Sequence, residues 1–207
     1  MIKIPNIEEI KKAIDKFERV LDSFQDEERK QALKKMVEYF GSRLYECPAS
    51  THEDHHDCHP GGLIIHTLMV TKNLFALNKL FTLGKYDADT LFLIGCFHDI
   101  GKLGSSKEPY YIENDEDWQK QKYGRHYKIN PRLSYMNHAA RSALTLATFG
   151  VKMTDEEQQA ILYHDGMYIP ENANLANKET PLTLILHWAD LAACEQSRGT
   201  FEHIKVE

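Results

Sequence analysis

The segment from Asp87 to Lys102 reads DADTLFLIGCFHDIGK, and its apolar middle, LFLIGCF, indicates a helix inside a helical core. A helix from about Asp87 to His98 is predicted to be buried, because nearly all of its later side chains are apolar. His98 and Asp99 then lie at the buried C-terminal end of this helix, and Gly101 marks its exit. A buried imidazole beside a buried carboxylate needs a partner, so the segment indicates a site as well as a fold.

Two amphipathic helices are predicted ahead of this segment, over residues 7–24 and 27–45. The apolar residues at helical spacing in the first are Ile7, Ile10, Ile14, Phe17, Val20, Leu21 and Phe24. We interpret residues 1–46 as an N-terminal helical hairpin that serves as scaffold. Residues 47–207 are predicted to form the single compact unit on which this hairpin packs.

Helical spacing of apolar residues returns in several further segments. These run from Gly62 to about Leu77, from Met136 to Phe149, onward from Thr154, and onward from Thr180. Thr154 has Glu157 three residues later, which is the spacing of a capping box. Thr180 and Pro181 stand in the N-cap and first helical positions of the last helix. Since no convincing run of strands is present, the sequence predicts an all-α bundle.

Two stretches lack helical periodicity. The first, Cys47 to Pro60, reads CPASTHEDHHDCHP and is predicted to be a histidine-rich loop. The second is the polar segment Glu108 to Pro131, whose tyrosines and charges fit a small hairpin or a lid over the site.

The four cysteines show no CxxC spacing, which argues against a zinc ribbon or a redox pair and favours reduced thiols. They are Cys47, Cys58, Cys96 and Cys194.

The bulk composition limits the partners of the chain. Its 207 residues, 24.0 kDa, suffice for one domain with a core around an internal site. With 31 acidic and 25 basic residues the net charge is -6, so any anionic substrate must be held locally. No apolar run reaches the roughly 18 residues of a membrane-spanning helix. The N-terminal stretch also lacks the apolar core of a signal peptide, so we expect a cytoplasmic protein with no membrane partner.

Six side chains on five separate helical segments are candidate metal ligands in a chain that has 11 histidines. They are His66, His98, Asp99, His138, His164 and Asp190. Each lies in or beside an apolar stretch, where an imidazole or carboxylate without a partner is costly. They are therefore either hydrogen-bonded individually or gathered onto a common cation. One such histidine alone is more often a satisfied core residue, but convergence of the whole set would favour a metal site.

Five sequence elements, in this order, resemble the HD superfamily of metal-dependent phosphohydrolases. They are HHDCHPGGLIIHTLMVTKN, FHDIGK, NHAARS, YHDGMY and HWADL, and they span roughly Cys47 to Glu195. The signature of that family is a first histidine, a His-Asp doublet and a distant aspartate. The first element is also similar to the HD domain attached to certain bacterial 3′-to-5′ exoribonucleases. No OB-fold is recognisable here, which argues against a long nucleic acid as the substrate.

The resemblance implies an HD-domain helical bundle that binds divalent transition-metal ions. The residues that it implies for the first ion are His66, His98, Asp99 and Asp190. Asp99 would bridge to a second ion, whose ligand set His138 and His164 would complete. A bridging carboxylate among neutral imidazoles suits Mn, Fe, Co, Ni or Zn better than Ca, while Mg is possible but less natural.

The resemblance also implies roles in the reaction. Metal ions would activate a water toward phosphorus and stabilise the developing oxyanion charge, so no side-chain nucleophile is required. Asp99 is thus catalytic as well as a ligand, and Lys102 would contact a substrate phosphate. The alternative for Lys102 is a solvated lysine that binds the last carbonyls of a helix. Asp165 could orient the neighbouring His164 or carry a proton.

Other polar residues are predicted at or near the substrate. The candidate substrate contacts are His55, His56, Arg125 and Arg141. Their alternatives are exposed loop histidines and solvated charges, and Arg198 is a further phosphate candidate. His187 precedes Asp190 by three residues and is at most a neighbour of the ligands. His126 and His203 are interpreted as surface residues.

The leading functional hypothesis is hydrolysis of a phosphate ester in a nucleotide or short oligonucleotide. A monoester, a cyclic dinucleotide and a nucleoside triphosphate are all open as substrates. One alternative is a di-iron HD-fold oxygenase, which the same ligand pattern could support. Another is a binding or sensory module that retains the metal. The oligomeric state is left open by the sequence.

Overall fold

The computed structural model describes residues 5–201 and shows a mostly helical fold with one small antiparallel sheet, which confirms the predicted all-α class. The elements are α1 (Ile7–Ser23), α2 (Glu27–Phe40), α3 (Ser42–Glu46), α4 (Gly62–Phe81), α5 (Ala88–Phe97), β1 (Tyr111–Glu113), α6 (Asp117–Tyr123), β2 (Tyr127–Ile129), α7 (His138–Thr148), α8 (Asp155–Tyr163) and α9 (Pro181–Ser197). Short 3-10 turns cover Ile100–Leu103, Gly166–Tyr168 and Pro170–Leu175. Within residues 5–201, no helix has the length and apolar character needed to cross a membrane.

The two predicted N-terminal helices form, and the side chain before each one caps it. Asn6 accepts hydrogen bonds from the first turn of α1, and Asp26 does so for α2. The prediction of one helix as far as Tyr45 is wrong, because α2 ends at Phe40. Gly41 has a φ of 53°, which residues with a side chain disfavour, and the chain restarts as the short helix α3.

Helix α4 lies at the centre of the fold. It packs against α5 and α9, and it also contacts α1 and α3. At its start, a Cβ on Gly62 would lie 2.0 Å from the carbonyl oxygen of Asp57. Only glycine permits this approach, which brings the histidine-rich loop against the beginning of α4.

Helix α5 confirms the prediction for the apolar segment. Asp87 caps its N-terminus, and the last five residues of the helix, which ends at Phe97, are all buried. His98 is the C-terminal cap, and Asp99 precedes the 3-10 turn that follows. The two side chains are 0% and 2% exposed, so the His-Asp doublet lies inside the molecule as predicted.

One hydrophobic core joins the N-terminal helices to the rest of the chain. The rings of Phe17 in α1 and Phe97 in α5 meet edge to face, with centroids 5.5 Å apart. Leu33 of α2, Ile161 of α8 and Ile185 of α9 belong to the same core. The N-terminal helices therefore pack on the remainder of the fold, while the division of the chain at residue 46 stays a prediction.

The polar segment forms the antiparallel pair β1 and β2, with Glu113 opposite Tyr127 and the exposed helix α6 between the strands. Two backbone hydrogen bonds tie it to the histidine-rich loop. The amide of Tyr127 donates to the carbonyl oxygen of Thr51 at 3.3 Å, and the amide of Glu53 donates to that of Gly124 at 2.9 Å. The predicted hairpin is thus present, and its role as a lid stays a prediction.

Candidate metal centre

Five helices bring the six candidate ligands together. The ligands are His66 in α4, His98 and Asp99 at the end of α5, His138 at the start of α7, His164 at the end of α8 and Asp190 in α9. Helices α4 and α9 pack along each other, and α7 contacts both α8 and the turn after α5. The helix ends therefore converge where α4 and α9 run side by side, and four of the six ligands are at most 2% exposed.

One oxygen of Asp99 faces ligands from α4, α5 and α9. Its Oδ2 lies 3.7 Å from Nε2 of His66 and 3.5 Å from Nε2 of His98. Oδ1 of Asp190 approaches the same two nitrogens, at 3.0 Å and 4.0 Å respectively. Two imidazoles and two carboxylates thus surround one small volume.

The other oxygen of Asp99 faces the ends of α7 and α8. Its Oδ1 lies 3.4 Å from Nε2 of His138 and 3.5 Å from Nε2 of His164. Asp165 adds a second carboxylate here, with Oδ2 3.3 Å from Nε2 of His138 and Oδ1 3.9 Å from Nε2 of His164. The sequence identifies Asp165 as a neighbour of a ligand, and the structure places its carboxylate among the ligand atoms.

Backbone carbonyls orient two of the imidazoles. Nδ1 of His98 lies 3.0 Å from the carbonyl oxygen of Gly95, and Nδ1 of His164 lies 2.8 Å from that of Ile161. When Nδ1 carries the hydrogen and donates it to the carbonyl, Nε2 is left as an acceptor that points into the cluster. This is the orientation in which a histidine binds a metal ion.

Several atoms in the cluster are buried and have no hydrogen-bond partner. They are Nδ1 and Nε2 of His66, Nε2 of His98 and Oδ1 of Asp99. Such atoms are costly to bury, and a divalent cation between them would satisfy them together. Imidazole nitrogens mixed with carboxylate oxygens suit first-row transition ions better than Ca. These residues therefore fit a bound metal ion.

The groups around Asp99 keep its carboxylate ionised. Burial alone would raise the pKa of Asp99, but the ammonium of Lys102 and the neighbouring imidazole of His98 hold it well below the usual range. Burial would likewise lower the pKa of Lys102, but Asp99, 2.6 Å away, raises it. Asp99 is therefore ionised at neutral pH, as a metal ligand must be.

A second charged pair lies on the α7 and α8 side. Burial would lower the pKa of His164, but Asp165 and Asp99 raise it to about 9. Burial would raise the pKa of Asp165, but His164 and His138 lower it to about 2. Carboxylates thus hold a proton on His164 that a bound cation would replace.

Lys102 is buried, whereas one of its two interpretations requires a solvated side chain. It is 7% exposed, and its Nζ pairs with Asp99, so the interpretation as a solvated lysine is wrong. It also lines a cavity of about 340 Å³ together with Arg43, Tyr111 and Tyr127. Contact between Lys102 and a phosphate stays a prediction.

The structure adds two side chains that the sequence does not identify as potential ligands. The ring of His56, predicted only as a substrate contact, lies against that of His66 with centroids 4.4 Å apart. Its Nδ1 lies 3.2 Å from Sγ of Cys194. Cys194 follows Asp190 by one helical turn, and its Sγ lies 3.9 Å from Oδ1 of Asp190. That spacing of four residues is the one sequence feature that relates Cys194 to Asp190, and it is too general to identify a ligand.

The remaining predicted substrate contacts have partners of their own. His55 stacks on His52 with centroids 4.9 Å apart, and Nε of Arg125 donates to Nε2 of His52 at 2.9 Å. Arg141 is buried and donates to the carbonyl oxygen of Ser134 at 2.7 Å. Contact between these side chains and a substrate stays a prediction.

The other histidines and charges have simpler positions. Nδ1 of His187 lies 2.7 Å from the carbonyl oxygen of His164, so it neighbours a candidate ligand as predicted. Arg198 forms an ion pair with a glutamate three residues before it, and His126 is exposed. His203 lies outside the described residues. All four cysteines are free thiols, as predicted.

The cluster offers more than one set of three ligands for a cation. These sets are His66 with His98 and Asp190, His98 with Asp99 and His164, and His138 with His164 and Asp165. Side chains of this kind can bind divalent ions and so bring Lewis-acid chemistry to the site. The protein thus contains a buried cluster of histidines and aspartates that could bind metal. Comparisons with protein-family models, curated proteins and solved structures found no match to this chain.

Proposed function

We propose that the chain is a metal-dependent phosphohydrolase of the HD superfamily with one divalent ion on each side of Asp99. A single observation carries this proposal: Oδ2 of Asp99 faces His66 and His98, whereas Oδ1 faces His138 and His164. A carboxylate whose oxygens turn toward two pairs of imidazoles is arranged to bridge two cations. A single ion bound on the Oδ2 side would leave the other pair without a ligand role.

The described side chains divide into two sets around this bridge. The first ion would be held by His66, His98, Asp190 and Oδ2 of Asp99, and the second by His138, His164, Asp165 and Oδ1 of Asp99. When bound, such ions supply an activated water and stabilise negative charge on phosphate oxygens. Mn, Fe, Co, Ni and Zn fit these ligands best, and Mg is possible.

Two protein groups have further roles in the proposed reaction. The ammonium of Lys102 is buried beside Asp99, where it can hold a phosphoryl oxygen and offset its charge. Asp165 has a pKa of about 2, so at neutral pH it is a carboxylate. It can therefore ligate a cation or accept a hydrogen bond from the attacking water, but it cannot donate a proton at that stage.

The cavity next to Lys102 supports a nucleotide or a short oligonucleotide as the substrate. Its volume of about 340 Å³ lies at the small end of the usual range for ligand pockets. Tyr111 and Tyr127 provide aromatic surface for a base, and Lys102 and Arg43 provide positive charge for phosphate. Glu46 and Glu113 also line the cavity, so a phosphate would have to bind on the side of the two cations. The net charge of -6 makes such a local cluster of cations necessary for binding an anion.

The test combines metal analysis with turnover on nucleotides and model phosphodiesters in the presence of Mn²⁺, Fe²⁺, Ni²⁺ or Mg²⁺. The variant Asp99→Asn should lose at least about 100-fold in turnover, because it removes the bridging charge. The double variant of His138→Ala with His164→Ala should lose about one of two metal equivalents and most of its turnover. His126→Ala changes an exposed histidine outside the cluster and should leave both quantities unchanged.

Two results would contradict the proposal. Unchanged metal stoichiometry in the double variant would exclude a second ion held by His138 and His164. Failure of the wild-type protein to hydrolyse any phosphate ester with any of these ions would exclude the hydrolase. Oxygen uptake with a mixed-valence iron signal would then favour the di-iron oxygenase.

A further inference from the structure

A group of potential ligands lies next to the proposed two-ion centre and is only partly used by it. It consists of His56, His66 and Cys194, with one ligand atom of each within 4.8 Å of the others. His56 comes from the histidine-rich loop, His66 from α4 and Cys194 from α9. Three separate parts of the fold therefore meet at this group.

Both imidazoles of the group carry buried nitrogens without a hydrogen-bond partner. His66 is 1% exposed and neither of its ring nitrogens makes a hydrogen bond, although a carboxylate of the cluster lies beside Nε2. Nε2 of His56 makes none either, and it is Nδ1 of His56 that contacts Cys194. Nε2 of His66 faces Oδ1 of Asp190 at 3.0 Å and so serves the proposed first ion, which leaves Nδ1. His98 and His164 differ here, because a backbone carbonyl lies within hydrogen-bond distance of each Nδ1.

The geometry and chemistry of this group suit a cation that prefers sulfur. The 3.2 Å between Nδ1 of His56 and Sγ of Cys194 is close to the separation of two ligands on one tetrahedral ion. That separation is about 3.5 Å for a thiolate and an imidazole on zinc. A thiol is a weak hydrogen-bonding group, so a water molecule would gain little from Cys194. A thiolate with two imidazoles instead favours ions such as Zn²⁺ or Co²⁺.

We propose that His56, His66 and Cys194 form a third cation position for Zn²⁺ or Co²⁺, joined to the two-ion centre through the imidazole of His66. Binding would release the thiol proton of Cys194. For His66 to ligate both ions, its Nδ1 must bind this ion while Nε2 binds the first, and the Nδ1 proton is then released as well. The ion also links the histidine-rich loop to α9. Because the position is defined by these side chains alone, it does not require the protein to be a hydrolase.

Titration of the full chain with Co²⁺ tests the position, because a cobalt-thiolate bond gives a charge-transfer band in the near ultraviolet that imidazole and carboxylate ligands do not give. The wild-type protein should show this band. Cys194→Ser should lose the band and about one equivalent of Co²⁺ while it retains the others. His56→Gln should weaken the band, and it leaves the buried thiol in place. Cys58→Ser, which removes a free thiol of the histidine-rich loop outside the group, is the matched control and should retain the band.

Absence of the band in wild-type protein saturated with Co²⁺ would overturn the proposal. The group would then hold a water molecule, or only the direct contact between His56 and Cys194. A band that survives Cys194→Ser would overturn it too, since the sulfur would then come from another cysteine. The far-ultraviolet circular dichroism of each variant shows that the fold is intact. Failure of hydrolysis with the band present would count against the proposed function alone.

Discussion

The glycine of the HDIGK segment has a steric role on which a candidate ligand depends. A Cβ on Gly101 would lie 2.1 Å from the carbonyl oxygen of His138 and 2.6 Å from the amide nitrogen of Ser142, closer than real contacts allow. The amide of Gly101 also donates to Oγ of Ser142 at 2.8 Å. Glycine thus lets the first turn of α7 pack directly on the turn after Asp99, and this packing positions His138.

Gly101→Ala should therefore separate α7 from the turn that follows Asp99. We expect the free energy of unfolding to fall by about 2 kcal/mol or more, as for other overpacked sites. The second metal equivalent should also bind more weakly, because His138 moves with α7. Urea unfolding and metal titration measure the two effects. Gly84→Ala is the control: Gly84 has a φ of +77° and nothing within 4 Å of a Cβ, so only backbone strain of about 1 kcal/mol applies. Equal losses in the two variants would contradict the steric role.

At the level of single residues, the sequence could identify candidate ligands only where they interrupt a regular pattern. His98 and Asp99 end a long apolar run, and His66 lies among apolar helical positions. Cys194 could not be identified, because a buried cysteine is an ordinary core residue and its relation to Asp190 is common to every helix. His56 lies in a loop without periodicity, so no pattern could show which of the loop histidines faces α4.

Among the secondary-structure elements, a buried carboxylate joins α2, α5 and α8. Glu157 is 1% exposed and accepts two hydrogen bonds from the guanidinium of Arg29, at 3.0 Å and 3.2 Å. It also accepts from Oγ1 of Thr90 at 3.1 Å and from the amide of Thr154 at 2.8 Å. The predicted capping box is therefore present, and its glutamate has a larger role in tertiary packing.

Glu157→Ala should destabilise the protein strongly, because it leaves the guanidinium of Arg29 without its carboxylate and with only the carbonyl oxygen of Lys152, 3.1 Å away. The expected loss in the free energy of unfolding is about 3–5 kcal/mol. Urea unfolding at neutral pH measures it. Glu28→Ala serves as the control, since Glu28 and Lys152 form a pair whose side chains are 78% and 80% exposed. That control should cost less than about 1 kcal/mol, and a comparable loss in both variants would show that burial of Glu157 is not decisive.

The bounds of the helices could be predicted where a cap marks them. Thr154 and Thr180, which are predicted as N-caps, each accept a hydrogen bond from the third residue of the helix that follows. Asp87, predicted as the first residue of its helix, does the same and so lies one position before it. The break at Gly41 could not be predicted in this way. The apolar spacing continues across it to Leu44, and a single glycine inside a helical pattern is often tolerated.

The candidate metal centre belongs to the whole molecule, because its candidate ligands are spread from His66 to Asp190. Apolar periodicity could show which helices are buried, but it could not show that the ends of α5, α7 and α8 meet beside α4 and α9. That convergence depends on contacts between residues far apart in the chain. Only the resemblance to the HD superfamily implied it, and the structure brings the six side chains together.

The polar segment and the histidine-rich loop adjoin the cavity that Lys102 lines. Tyr111 of β1 and Tyr127 of β2 line that cavity directly. The loop is tied to the segment at several places, including an isolated β-bridge between His52 and Arg125. None of the six candidate metal ligands lies in the segment itself. Substrate contact and metal binding should therefore be separable by changing this part of the chain.

Replacement of residues 114–125 by a short Asn-Gly linker should change substrate selection without loss of metal. The linker suits a hairpin, so β1 and β2 can remain paired and the two tyrosines can remain in place. The histidine-rich loop loses the hydrogen bond from the amide of Glu53 to Gly124 and the β-bridge between His52 and Arg125. We expect KM to change by several-fold, differently from one nucleotide to another, while the metal content stays that of the wild type. His126→Ala is the control, since it removes only the exposed contact between His126 and Glu53, 3.0 Å long. Loss of metal in the shortened variant would show that residues 114–125 support the structure of the metal cluster. Identical kinetics on every substrate would show that they do not contribute to substrate binding.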